Sequence, residues 1–270
     1  MSGASKKNRI DALLVERGLV RSREQGRRLI MAGEVLADGE PVTKPGQQID
    51  SSAAITIRQR PRYVSRGGEK LEHALAAFNL TPQGRVCADV GASTGGFTDC
   101  LLQHGAVKVY AIDVGYGQLA WKLRQDDRVV VMERVNARYL EQLPELVDAV
   151  VVDASFISLG LLLPVIRTWL TPTAWVVALV KPQFEAGRSD VGKGGVVRDP
   201  EVHRRVLVET IEFADTIGLH PFAVTCSPIT GPKGNIEFLI GLKTIPPDQT
   251  VSMDAAIQTA LSAAQKLIEH

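Results

Sequence analysis

The sequence predicts an α/β fold, a mostly parallel sheet covered on both faces by helices, with a small α+β module in front of it. Three observations carry this expectation. From residue 85 onward, short continuous apolar runs alternate with helical stretches, the pattern of strands buried on both faces. The first of these runs ends in a glycine-rich turn that opens a helix, Gly91-Ala92-Ser93-Thr94-Gly95-Gly96. The charge is also divided: residues 1–66 hold 13 Lys/Arg against 7 Asp/Glu and residues 67–270 hold 18 against 23, although the 270-residue chain has a formal net charge of +1. A basic segment attached to a mildly acidic one points to a module that meets polyanions.

In order, Ile10–Arg17 reads as a short amphipathic helix with Ile10, Leu13 and Leu14 on one face. Ser22 is a plausible N-cap for a second helix, Arg23–Ala32, closed by Gly33. Val35–Val42 reads as a hairpin around Asp38-Gly39, a strong turn signal, and Ile55–Ile57 as a further strand. Residues 1–60 are thus expected to form the small domain. Residues 61–68, rich in Pro, Arg, Ser and Gly, are expected to be a linker, and 69–270 the large domain. There, Lys70–Leu80 is helical. Arg85–Val90, Val107–Ile112, Val129–Met132, Val147–Val152 and Ala174–Val180 are strands. Phe97–His104, Leu119–Arg124 and Leu159–Leu170 are helices between them. Asp199-Pro200 opens a helix to about Ile217. Phe222–Cys226 and Ile236–Leu242 follow without an intervening helix, which suggests an antiparallel hairpin at the sheet edge. Met253–Leu267 is a final helix.

Several classes are excluded. At 45% hydrophobic and 23% charged, the composition is that of an ordinary soluble domain. No apolar run approaches the roughly 18 residues of a membrane span, and Met1–Lys7 has no apolar core after its lysines, so no secretory signal is read there. Cys87, Cys100 and Cys226 form no CxxC pair and read as buried thiols in a reducing compartment, hence a cytoplasmic protein. The five histidines are scattered, and no metal site is expected.

The candidate chemistry lies at strand ends. Glycines in the turn after Val90 let the backbone approach a bound nucleotide. The turn departs from GxGxxG, since Gly91, Ser93 and Gly96 occupy its three positions with Gly95 extra. Asp89, near the end of the first strand, disfavours a pyrophosphate but suits the cationic amino group of S-adenosylmethionine. Asp113, closing the next strand, stands where a carboxylate holds ribose hydroxyls. Phe97 belongs to the same segment, and Asn136, after the third strand, is placed to read an adenine edge. Asp153 ends the fourth strand and Lys181 the fifth, where catalytic groups of open α/β sheets gather. Glu237, one residue into an apolar strand, needs a partner. Lys70 can reach the same face. Two lysines and two carboxylates would satisfy one another in one cleft; a purely structural salt-bridge network is the competing reading. Arg21, Arg23, Arg27 and Arg28 crowd the second small helix and suit RNA phosphates, and Arg66 follows in the basic stretch. The glycine-rich loop 187–196 suits a flexible lid on the RNA side, with an ordinary mobile loop as the competing reading.

Four separated motifs, in order, carry a resemblance. Asp89–Thr98 (DVGASTGGFT), Asp153–Leu159 (DASFISL), Val180–Glu185 (VKPQFE) and Gly234–Leu239 (GNIEFL) resemble those of the TlyA family, as does Tyr63–Glu72 (YVSRGGEKLE). The resemblance covers nearly the whole chain. It implies a Rossmann-like S-adenosylmethionine-dependent methyltransferase of the FtsJ-like type behind an N-terminal RNA-binding module. It implies a Lys-Asp-Lys-Glu tetrad at Lys70, Asp153, Lys181 and Glu237. It also implies 2′-O-methylation of ribosomal RNA, typically at a cytidine, with ribosomal RNA or ribosomal subunits as partners. The family has also been labelled haemolysin, for which this sequence offers neither an export signal nor a membrane-active segment. Two other readings are weighed: a nicotinamide-dependent oxidoreductase, disfavoured by the glycine pattern and the basic module, and a non-catalytic ribosome-associated factor, disfavoured by the complete tetrad.

Overall fold

The computed structural model describes residues 7–58, 61–247 and 252–268. The N-terminal stretch 1–6, read above as signal-free, and residues 59–60, read as the end of the small domain, lie outside them. The chain divides into two compact units, Met1–Arg62 and Tyr63–His270.

In the first unit, β1 (Lys7–Arg9), α1 (Ile10–Glu16), α2 (Arg23–Met31), β2 (Val35–Ala37), β3 (Glu40–Pro41), β4 (Gln48–Asp50) and β5 (Ile55–Ile57) follow in order. Strands β3, β2 and β5 form one antiparallel sheet, and β1 pairs with β4. Ser22 caps α2 by accepting from the Gln25 amide at 3.2 Å. Gly26 lets α2 lie close on α1: a Cβ there would stand 3.2 Å from Leu14. Ile10, Leu13, Leu14, Val20, Ile30 and Val35 form the core beneath. The β1–β4 pair was not expected, because Lys-Asn-Arg and Gln-Ile-Asp carry no apolar alternation.

The second unit runs α3 (Gly67–Ala77), β6 (Val86–Val90), α4 (Gly96–Gln103), β7 (Lys108–Asp113), α5 (Trp121–Arg124), β8 (Val129–Glu133), β9 (Val147–Val152), α6 (Leu159–Thr168), β10 (Leu170–Val180), α7 (Pro182–Glu185), α8 (Pro200–Thr216), β11 (His220–Cys226), β12 (Phe238–Lys243) and α9 (Met253–Ile268). The seven strands are ordered β11-β12-β10-β9-β6-β7-β8. Strands β10, β9, β6, β7 and β8 are parallel, and β12 is antiparallel to both its neighbours. Alternate residues feed two cores: Val176, Ala178 and Val180 pack on one face, Trp175, Val177 and Leu179 on the other.

Two expectations need correction. Gly67 and Gly68, read as linker, form the first turn of α3, and Tyr63 before them is buried. A Cβ on Gly68 would fall 2.2 Å from the Tyr63 ring, so this glycine serves packing rather than flexibility. Glu237 lies one residue before β12, not inside it.

Candidate active site

The chain builds β6, β7 and β8 outward on one side of β6, then returns to place β9 on the other side. This reversal opens a crevice beyond the carboxyl ends of β6 and β9, the position at which open α/β sheets bind ligands. A cleft of about 610 Å³ lies there, lined among others by Arg66, Lys70, Gly91, Phe97, Asp153 and Lys181. Ligand sites typically span about 300–1,000 Å³.

The four tetrad side chains all line this cleft, and they are held as two pairs. Lys70 Nζ donates to Glu237 Oε2 at 2.5 Å, with side chains 10% and 0% exposed. Lys181 Nζ meets Asp153 Oδ1 at 2.6 Å and donates to Ser155 Oγ at 2.8 Å. Local structure explains each placement. Lys181 directly follows β10 and precedes Pro182 at the first position of α7, which turns the chain out of the sheet. Asp153 follows β9 beside Gly91, whose φ of +85° and crowded Cβ position, 2.8 Å from the Asp153 carbonyl, admit only glycine. Gly231 leaves room for Glu237, because a Cβ there would fall 2.1 Å from Oε1. That oxygen has no hydrogen-bond partner among the described residues.

The other candidates separate into two groups. Gly91, Ser93, Gly96 and Phe97 line the cleft; Asp89, Gly95, Asp113 and Asn136 do not. Asp89 is fully buried, and its Oδ2 accepts from the Thr98 amide and hydroxyl at 2.9 and 2.6 Å, bracing the start of α4. Burial pushes its carboxyl up to about 7, against the opposing Thr98 hydrogen bonds and with Asp153 adding to the rise. Its Oδ1 is unpartnered among the described residues. Asp113 accepts from the Ser93 amide at 2.8 Å and the Gly115 amide at 2.6 Å, tying the glycine turn to the end of β7. Asn136 is exposed, and its oxygen caps its own turn at the Arg138 amide. Two of the glycines answer to the protein rather than to a ligand. A Cβ on Gly95 would strike Leu123 at 2.2 Å, and one on Gly96 would strike Ser65 Oγ at 2.2 Å and the Gly68 amide at 2.9 Å.

Several cleft residues were not foreseen. Phe156 is 90% exposed with a φ of +63°, and its ring centroid lies 5.0 Å from that of Phe184. Both rings line the cleft and offer it an open aromatic face. Glu185 joins the two motifs behind them, accepting from Ser158 Oγ at 2.6 Å and the Leu159 amide at 2.9 Å; burial raises its carboxyl above the ordinary range. Asn235, almost fully buried, accepts from the Val197 amide at 3.2 Å and donates to the Gly195 and Pro232 carbonyls at 3.0 and 3.2 Å. Lys233 Nζ donates to the Gly194 carbonyl at 2.8 Å. The glycine-rich segment expected as a free lid is therefore fastened to the loop that carries Glu237. Phe156, Phe184 and Asn235 all sit inside the quoted motifs, but exposure and bonding cannot be read from residue type.

In the first unit, Arg21, Arg23, Arg27 and Arg28 are all exposed. Arg23 is already engaged: it and Arg9 both hold the buried Asp11 carboxylate at 3.0 Å, and Arg9 first, then Arg23, keep that carboxyl down at about 2. Arg66, at the N-cap of α3, is exposed and lines the cleft. Among the described residues no cluster of His, Cys, Asp or Glu is fit to hold a metal, and no helix is long and apolar enough to cross a membrane.

Comparison with known proteins agrees with both units. Residues 63–244 match the FtsJ-like methyltransferase model and residues 8–55 the S4 domain model. YqxC of Bacillus subtilis (strain 168) is 54% identical over 245 residues, 88% of this chain and 86% of that protein. The 16S/23S rRNA (cytidine-2′-O)-methyltransferase TlyA of Mycobacterium tuberculosis is 49% identical over 244 residues, 89% of this chain and 91% of that one. A solved Streptococcus thermophilus structure described as a hemolysin superposes with a TM-score of 0.74 at 45% identity, covering 98% of each chain. With its four motifs at the sheet's carboxyl ends and its basic module in front, this chain belongs to the TlyA family of FtsJ-like methyltransferases carrying an S4 domain.

Proposed function

We propose that this protein methylates a ribose 2′-oxygen in ribosomal RNA, at a cytidine, with the S4 unit docking the RNA. The observation that supports this most is the pairing of Lys181 with Asp153 and of Lys70 with Glu237 in one cleft beside the glycine turn. S-adenosylmethionine is the methyl donor, supplying an electrophilic methyl carbon on a cationic sulfur. The cleft residues fit such a group. The turn at Gly91 and Ser93 and the Phe97 side chain form one wall, and Asp153 and Gln183 bring acceptor oxygens suited to a cation; Gln183 Oε1 has no partner among the described residues. Gly91, Ser93, Gly96 and Phe97 would hold the donor directly. Asp89, Gly95, Asp113 and Asn136 would act behind them, fixing the turn and the segments around it.

The chain's own task is then positioning and charge. The Lys181 ammonium, oriented by Asp153 and Ser155, meets the ribose oxygen and stabilises the negative charge that develops on it. The charged Lys181 has no lone pair to take the hydroxyl proton, so that proton passes to the Asp153 carboxylate beside it. Lys70, held by Glu237, grips the ribose or its phosphate. Phe156 and Phe184 give an unstacked base an aromatic face, the usual way in which a base taken out of RNA structure is held. Arg21, Arg27 and Arg28, with Arg66 at the cleft, contact phosphates; Arg23 contributes through the charge it shares with Asp11. Such a protein works in the cytoplasm, on ribosomal subunits or their RNA.

The test is transfer of radiolabel from S-adenosylmethionine to intact ribosomes, separated subunits and naked ribosomal RNA. Lys181→Ala should bind the donor as the parent does but lose methyl transfer by about 10²–10⁴-fold. Label on base atoms rather than the 2′-oxygen, or full turnover by Lys181→Ala, would overturn the assignment.

A further inference from the structure

Phe156 has a φ of +63° and is 90% exposed. A bulky side chain in the left-handed region is costly and persists only where the surroundings fix it. Here one short segment does the fixing. Ser155, just before Phe156, accepts from Lys181 Nζ at 2.8 Å. Ser158 and Leu159, just after it, both donate to Glu185, the hydroxyl to Oε2 at 2.6 Å and the amide to Oε1 at 2.9 Å. Between Lys181 and Glu185 the chain is closed by the Phe184 amide on the Lys181 carbonyl and the Ala186 amide on the Pro182 carbonyl, both at 2.8 Å. That same turn carries Phe184, whose ring centroid lies 5.0 Å from that of Phe156. The Phe156 turn is thus pinned on both sides to the segment that supplies its partner ring.

The Glu185 carboxylate is a costly way to make this link if the link only packs. It is partly buried, no cation offsets it among the described residues, and burial raises its carboxyl against the two hydrogen bonds it accepts. Nor does the start of α6 depend on it, because Ser158 Oγ already accepts from the Gly160 amide at 3.1 Å. What the carboxylate adds is a two-oxygen bridge from the turn after β10 to the loop after β9. It faces the first amide of α6, where a helix start favours an anion. Glu185 itself does not line the cleft, whereas Phe156 and Phe184 do.

We propose that Glu185 is a positioning residue for the target base: by bridging to Ser158 and Leu159 it holds the Phe156 turn against Phe184, so that the two rings form a preset platform before RNA arrives. The role rests on the reading above, in which an unstacked base lies on these rings. A base that meets a fixed platform loses less freedom on docking, and its ribose reaches the methyl donor in one geometry.

A double-mutant cycle in the full-length protein tests this. It is read by methyl transfer from radiolabelled S-adenosylmethionine to ribosomal subunits or their RNA, and by calorimetric titration with the donor. Glu185→Ala removes both bonds and should lower kcat/KM for RNA about tenfold, the worth of one or two hydrogen bonds, with the donor Kd unchanged. Phe156→Ala removes the platform, and adding Glu185→Ala to it should bring no further loss, because the two act in series. Glu185→Gln should stay within about threefold of the parent: its oxygen can accept from the Leu159 amide and its amide nitrogen can donate to Ser158 Oγ, so the bridge survives without the charge. Losses that multiply in the double variant, a Gln variant as poor as the Ala variant, or an equal loss of donor affinity would each overturn the role of Glu185 and leave the platform standing. Full activity of Phe156→Ala, or no transfer by the parent to any ribosomal substrate, would instead overturn the platform reading and the proposal with it. If Glu185→Ala does not fold in thermal melts, Ser158→Ala, which removes the 2.6 Å bond and keeps the Leu159 one, takes its place in the cycle.

Discussion

Replacing the Lys70–Glu237 pair, one side at a time and then together, tests the site most sharply. The two side chains are 10% and 0% exposed and 2.5 Å apart. Lys70→Met leaves a buried carboxylate with both oxygens lacking a donor, because Glu237 Oε1 already has none among the described residues and Gly231 packs against it. Glu237→Leu leaves a buried ammonium. Removing one member of a buried pair costs about 3–5 kcal/mol, whereas replacing both with apolar groups of similar volume is neutral or stabilising. For a domain of this size about 1 kcal/mol moves Tm by 2–4 °C, so each single variant should melt roughly 10 °C lower. Lys70→Met/Glu237→Leu should return to within a few degrees of the parent. Differential scanning calorimetry and urea unfolding measure this cycle, and methyl transfer to ribosomal RNA is followed in parallel. All three variants should be inactive, so that the double variant is stable without being functional. If the single variants each cost under about 1 kcal/mol, the pair behaves as a solvated one. If the double variant loses the sum of the two, the side chains are not coupled. Either result would refute the reasoning.

The remaining predictions concern the supports of the cleft. Gly96→Ala drives a methyl into Ser65 Oγ and the backbone of Gly67 and Gly68, so it should destabilise by about 1–3 kcal/mol in thermal melts and weaken S-adenosylmethionine binding in calorimetry. Asp89 titrates at about 7 when folded, against 3.8 ordinarily; the folded chain keeps a proton that the unfolded chain releases. Stability from this group is therefore full below about pH 4 and lost as pH rises through 7, and Asp89→Asn should flatten that decline in urea midpoints. An unchanged slope would remove Asp89 from the linkage. Asn235→Ala unfastens the 194–197 segment from the Glu237 loop; kcat/KM for RNA should fall about tenfold, the value of one or two hydrogen bonds, with donor affinity unchanged. Equal losses of both would mark a general structural role.

The parallel sheet was legible because its strands are buried on both faces: Val147–Val152 and Trp175–Val180 are nearly unbroken apolar runs, and only a covered sheet tolerates them. Asp153, Lys181 and Glu237 were legible as charged residues beside strand ends and Lys70 as one in the first helix of the large domain, all in motif order. Their division into pairs was not, since which lysine meets which carboxylate depends on the return of β9 beside β6 and on the space left by Gly231. The glycine turn was legible as a turn but misleading in its reason, because Gly95 and Gly96 are required by Leu123 and Ser65, far away in sequence or in another element. Phe156 was hidden for a related cause. An aromatic residue next to buried strands reads as core, and only the positive φ after β9 turns it outward.

The pairing of the tetrad also changes what the chain's charge pattern means. Lys70 and Lys181 each sit against a carboxylate, so these two lysines contribute little net field to an approaching polyanion; what they supply acts at hydrogen-bond range. Asp89 is screened by burial and half neutral near pH 7. Long-range attraction at the cleft must then rest on cations outside the tetrad, Arg66 on the exposed turn that starts α3 and Lys233 on the loop before Glu237, both lining the same cavity. This separates two properties that the residue counts merge: binding of RNA, which salt should weaken through Arg66, Lys233 and the S4 arginines, and methyl transfer, which on the roles proposed for the two charge-balanced pairs should be far less sensitive to salt once the RNA is in place.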